Sequence, residues 1–148
     1  MAYTCPQCGA TYHADATCED RFNAAQVREL EDPGYGAVHH LSVPCYMLQH
    51  EGYSRDGWLE ARRLIARFLS GLTPRQTRQQ YRAAYDSGHR TFSLTRSHRL
   101  EEVAEIAWTR TIADVRIDTA EHYCADVRAW AVSIVHNSEA LVRAVEGE

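Results

Sequence analysis

The sequence predicts an all-α fold, a compact bundle of about five to six helices with an N-terminal zinc-knuckle loop. Apolar residues recur at helical spacing through most of the chain, and helix start and stop signals bracket those stretches. No alternating run beside a tight turn suggests a β-hairpin. With 148 residues, 45% of them hydrophobic and 24% charged, the chain can bury one core and is too apolar to stay disordered. It is read as a single domain over 1–148, with residues 1–18 forming a loop packed on a helical body from 19 to 148.

The first helix is expected from Thr17 or Cys18 to Leu30, with Phe22, Ala25 and Leu30 facing inward. The run Asp32-Pro33-Gly34-Tyr35-Gly36 ends it, because proline and glycine punctuate strongly. A second helix is expected to begin near Ser42, placing Pro44 in its first turn where a missing N–H costs little. It runs toward His50 and stops at Glu51-Gly52. Trp58, Leu59, Ala61, Leu64, Ile65, Phe68 and Leu69 then recur at helical spacing, and Gly71 ends that helix.

Thr73-Pro74-Arg75-Gln76 is a start signal, with a threonine cap, a proline at the first position and a glutamine three after the cap. That helix carries Tyr81, Ala84 and Tyr85 on one side and stops at Ser87-Gly88; residues 88–97 read as a loop or a short extended piece. Leu100, Val103, Ala104, Ala107 and Trp108 form another amphipathic stripe. Thr111 to Asp114 suits the cap of a short helix, although Ile112 to Ile117 could equally be extended. Asp118 opens the clearest helix, capped with Glu121 and lined by Tyr123, Val127, Trp130 and Ile134. Asn137-Ser138 interrupts it before a last turn through Leu141 and Val145.

All sixteen basic residues are arginine, and the net charge is −4. The segment Arg55–Arg99 holds ten arginines against three acids, whereas both flanking segments are acidic. Such asymmetry marks either an anion-binding face or basic helices packed beside acidic neighbours; the acidic total favours the second. No apolar run reaches the roughly 20 residues of a membrane helix. Met1-Ala2-Tyr3-Thr4-Cys5 lacks the pattern of a secretory signal, so a cytoplasmic location with reduced thiols is expected. Five cysteines are also an odd number for a disulfide framework.

Cys5-Pro6-Gln7-Cys8-Gly9 is the most specific motif. Two thiolates separated by two residues grip one tetrahedral ion, and the glycine lets the backbone turn toward the sulfurs. A thioredoxin-type redox motif is the rival reading, but it wants a strand before the pair and a helix at it, where Pro6 and Gly9 suit a turn. Zn²⁺ is therefore the expected cofactor. The spacing Cys5-x2-Cys8-x4-His13-x4-Cys18 matches a CCHC knuckle and names Cys5, Cys8, His13 and Cys18 as ligands. His39, His40, Cys45 and His50 are the alternatives, tying the loop to the helical body. Cys18 belongs to both schemes, since a helix N-terminus favours a thiolate. Cys124 is expected to pack in the core.

The segment from His39 to His50 concentrates groups able to handle protons. On a helix, Tyr46 and His50 lie on one face, and His39, Tyr46 and His50 are the candidate catalytic residues. A capping role for His50 and a packing role for Tyr46 are the plainer alternatives. His39 and His50 cannot share an ion along one straight helix, because eleven residues span about 16 Å; they could do so only if the chain bends before Ser42, which Pro44 would allow.

The series Cys5-x2-Cys8-Gly9, Cys18 heading a helix, and His39-x-Leu41-Ser42-Val43-x-x-Tyr46-x-x-Gln49-His50 resembles an uncharacterised bacterial family of small proteins, known as a domain of unknown function. Thr111 to Val115 and Val127 to Ala131 resemble its C-terminal part, so the similarity covers most of the chain. The resemblance implies that Cys5, Cys8, Cys18, His39 and His50 matter together, with His13 a further candidate. It implies no reaction, substrate or partner. The loop between Cys8 and Cys18 is shorter than the family pattern, and Pro44 stands where an aspartate is expected.

Three functions are compatible with these residues. The first is a helical protein with a mainly structural zinc and a small-molecule or protein partner at a pocket near His39, Tyr46 and His50. The second is a zinc-dependent enzyme that uses His39, Tyr46 or His50 for proton transfer. Nucleic-acid binding through the knuckle and the arginines is the weakest: residues 5–18 hold no basic side chain other than His13, and Tyr12 is the one stacking aromatic.

Overall fold

A computed structural model describes residues 2–13, 15–86 and 100–147 of the chain. The fold is all-α apart from one two-stranded ribbon. The expectations for Tyr81, Ala84, Tyr85 and residues 87–99 fall on side chains or segments outside what it describes. Strands β1 (Tyr3–Thr4) and β2 (Thr11–Tyr12) pair antiparallel, Tyr3 opposite Tyr12. The expectation of no hairpin is thus corrected, and two residues per strand are too few to leave an alternating signal.

Helix α1 covers Cys18–Glu31, and its N-cap Thr17 accepts from the Asp20 amide at 3.1 Å. Its inward face differs from the expected one. Leu30 is 88% exposed, and Glu29 is buried instead. The Pro-Gly segment is not simply a break: Asp32 caps the Gly34 amide and starts the single turn α2 (Pro33–Gly36), which buries Tyr35.

Helix α3 spans His39–Gln49, beginning three residues before the expected start. Pro44 therefore lies inside it. The first turn is closed without the proline, because Leu41 and Ser42 donate to the Val38 carbonyl.

Helix α4 (Arg55–Leu69) is capped by Ser54, and Gly71 beyond it takes a φ of +117°, a conformation that disfavours a side chain. Helix α5 (Pro74–Asp86) starts with the anticipated reciprocal cap, Thr73 Oγ1 accepting from the Gln76 amide while Gln76 Oε1 accepts from the Thr73 amide.

The stripe from Leu100 to Trp108 forms only a 3-10 turn at Glu101–Glu105, although Leu100 is buried. A second 3-10 turn at Ile112–Asp114 carries a full capping box from Thr111 and Asp114. Helix α6 (Ala120–Asn137) is capped by Thr119 rather than Asp118 and is followed by α7 (Glu139–Glu146).

Helix α6 is the axis of the core: α2, α3 and α4 all pack on it. Tyr123, Val127, Trp130 and Ile134 are fully buried along its inner face. Gln49 ties α3 to this axis, donating to the Arg110 carbonyl at 2.8 Å and accepting from Trp130 Nε1 at 3.0 Å. Arg62 and Arg63 of the basic segment pair with Glu139 and Glu146 of α7, so part of the charge asymmetry closes inside the molecule. Among the described residues no helix is long and apolar enough to cross a membrane.

Helices α1 and α3 lie antiparallel and touch through a ladder of side chains. Cys18 meets His50. Phe22 stacks on Tyr46 at 4.1 Å between ring centroids. Gln26 reaches Ser42, and Glu29 meets His39. Each end of this ladder holds a cluster of polar side chains.

Candidate metal centre

The N-terminal end of the ladder is assembled from three pieces. Cys5 and Cys8 sit on the turn between β1 and β2, where the Cys5 amide donates to the Ala10 carbonyl and the Gly9 amide to the Cys5 carbonyl. Gly9 has a φ of +82°, which reverses the chain and lets it close around the two sulfurs. Cys18 is the first residue of α1, and His50 follows the last residue of α3. One ligand atom from each of Cys5, Cys8, Cys18 and His50 lies within 4.8 Å of the others. Cys8 Sγ and Cys18 Sγ are 3.5 Å apart, close to the roughly 3.8 Å that separates two sulfurs on a tetrahedral ion with 2.3 Å bonds. The four residues could hold a metal ion.

The surroundings prepare these atoms. Cys18 is held well below the ordinary thiol value, first by the hydrogen bond from Cys8 and then by His50 and Tyr12. Cys8 is correspondingly pushed up by its bond to Cys18 and by burial. The Tyr12 hydroxyl donates to Cys18 Sγ at 3.1 Å. His50 Nδ1 is 2.8 Å from the Tyr46 carbonyl, so it donates there and leaves Nε2 with the lone pair. That Nε2 is buried without a hydrogen-bond partner.

The expected site residues separate into groups. Cys5, Cys8 and Cys18 converge as the motif suggests. His50 completes the cluster in place of His13, which is exposed and outside it. Strand alternation explains the difference: Tyr12 on β2 points inward to Cys18, so the chain turns His13 outward. His40 lies edge-on to Phe68, and Cys45 is fully buried away from the cluster, its thiol pushed up by burial. Cys124 is half-buried and donates to the Gly34 carbonyl.

The structure divides His39, Tyr46 and His50. Tyr46 is sandwiched between Phe22 and His50, each ring 4.1 Å away, and burial pushes its hydroxyl up to about 12. His39 stands at the opposite end of α3. A cavity of about 230 Å³ near the turn is walled by Leu48, Tyr53, Trp58 and Leu100, not by these three residues. Sequence reasoning missed Glu29, because a carboxylate in the last turn of a helix ordinarily faces water; it also assigned Tyr12 no role at the sulfurs.

A model of a family of unknown function (DUF5946) matches residues 3–139. The chain belongs to that family. The match includes all four clustered residues and both ends of the α1/α3 ladder. Comparison with curated proteins and with solved structures gave no match.

Proposed function

We propose that this DUF5946 member is a zinc protein whose ion is structural, held by Cys5, Cys8, Cys18 and His50. One observation carries the reading: the orphaned, buried Nε2 of His50 lies among three sulfurs, with its other nitrogen already engaged. A buried acceptor without a partner costs about 1–3 kcal/mol, and a metal bond at that atom removes the penalty. Three thiolates and an imidazole are a donor set suited to zinc, and four protein ligands fill its tetrahedral shell. No position is then left for substrate, so the ion pins the N-terminal turn to the junction of α1 and α3.

Elemental analysis of the purified full chain, with a zinc-edge anomalous map, tests this. One zinc per chain and four protein ligands are expected. Substoichiometric zinc after gentle purification, or a His50→Ala variant that keeps its full zinc content, overturns it.

A further inference from the structure

The far end of the α1/α3 ladder holds a second cluster, independent of the metal reading. The Glu29 side chain is 3% exposed. Its Oε2 accepts from Ser42 Oγ at 2.7 Å, from Gln26 Nε2 at 3.0 Å, and from the Tyr123 hydroxyl. Its Oε1 lies 2.7 Å from His39 Nδ1. Donors from α1, α3 and α6 thus fix one buried carboxylate in place. The only member of the cluster that reaches well into solvent is His39, whose side chain is 62% exposed. With Nδ1–H given to Glu29, the Nε2 lone pair is the atom His39 presents outward.

We propose that Glu29 and His39 form a proton-transfer site, with His39 Nε2 as the base and then the acid toward a small anionic substrate held by Arg128. Nε2 takes a proton from a substrate hydroxyl or from water. The deprotonated oxygen bonds to the central atom of the anion, the Glu29 carboxylate stabilises the imidazolium, and the proton passes to the oxygen whose bond to that atom breaks. Arg128 projects from α6 one turn beyond Cys124, and its charge acts on both Cys124 and the neighbouring His40. Among the described residues it makes no hydrogen bond or ion pair, so its guanidinium is open to an anion.

The molecule contains its own control. His122 also meets a carboxylate, Asp118, at 3.0 Å, but both side chains are largely exposed, at 43% and 59%. Water screens that pair, whereas the Glu29 carboxylate is fixed in a low-dielectric setting. Glu29 acts through His39 and is therefore a positioning residue.

The test uses the full chain as purified. Diethyl pyrocarbonate carbethoxylates imidazole Nε2, releasing ethanol and carbon dioxide, and peptide mass spectrometry follows each histidine across pH. At the high-pH plateau His39 should react several-fold faster than His122, because its Nδ1–H is held by a fixed, buried carboxylate and that of His122 by an exposed one. In Glu29→Gln the rate should fall to the His122 level across the pH profile. Inorganic phosphate should shift the His39 and Arg128 side-chain resonances, and Arg128→Gln should remove that response. Equal plateau rates for His39 and His122 in the wild-type chain overturn the proposal whether or not Glu29→Gln folds. So does a folded Glu29→Gln with an unchanged profile, or a phosphate response that survives Arg128→Gln.

Discussion

The two ends of the α1/α3 ladder are built from opposite materials. At the Cys18–His50 end the donors are mostly sulfur, and half of them sit on a turn whose strands are two residues long. At the Glu29–His39 end the groups are oxygen and nitrogen, and they come from three full helices, of which α3 and α6 pack directly on each other and α1 joins them through these side chains. A short ribbon has little apolar surface to bury and cannot hold its own geometry. The helical end needs no outside help, because α6 fixes Tyr123 by burying the whole inner face around it. On the proposed reading, one end is completed by an ion while the other is completed by the core.

Stripping the metal is the sharpest way to break this comparison. Structural zinc contributes about 10–16 kcal/mol in isolated finger peptides, as large as the roughly 5–15 kcal/mol that holds a whole domain together. A strong chelator should abolish amide-exchange protection through residues 2–17 and leave α1, α4 and α6 protected. Equal protection with and without chelator, read by exchange mass spectrometry, would remove the distinction between the ends.

The next largest effect belongs to the other end. Glu29→Ala leaves Ser42 and Tyr123 without their acceptor and His39 without its counter-charge. It should cost about 3–5 kcal/mol in urea unfolding while zinc content stays unchanged. Thr17→Ala, which removes the cap beside Cys18, should cost only about 1 kcal/mol, and the loss should show as a lower midpoint with the same slope.

The smallest effect is a pH dependence. Burial, then Arg128 and His39, hold the His40 imidazole below its ordinary value. The folded state therefore binds this proton less readily than the unfolded chain does. The contribution is intact above the unfolded value of about 6.5, and it declines as pH falls below that until the folded imidazole itself protonates. His40→Asn should flatten the stability profile in that interval; an unchanged slope would assign it to other groups.

The sequence made the helices legible wherever caps and spacing agreed. The Thr73–Gln76 box and the Tyr123, Val127, Trp130, Ile134 stripe are found where their patterns place them. Three of the four clustered residues were legible from spacing, because the turn and the first residue of α1 are local features. His50 was one alternative among several, since its place depends on how α3 docks beside α1, which is tertiary information. Pro44 misled the start of α3 because proline is commonest in a first turn, yet here it sits in the middle. Glu29 was illegible for a related reason. Its burial follows from Ser42, His39 and Tyr123 arriving from elsewhere, and nothing near it in the sequence announces them. Leu30 shows the reverse, an apolar residue that the docking of α1 leaves outside.

The way His50 is held has a consequence for how the centre fills. Its ring is restrained twice by one neighbour, through the stack on Tyr46 and through the bond to the Tyr46 carbonyl. The imidazole therefore has almost no rotational freedom left to surrender when an ion arrives. If the site takes the proposed ion, loading is one-sided: Cys18 and His50 already stand on the helices, and the N-terminal turn folds down onto them. The speed of capture is then set by how often that turn closes.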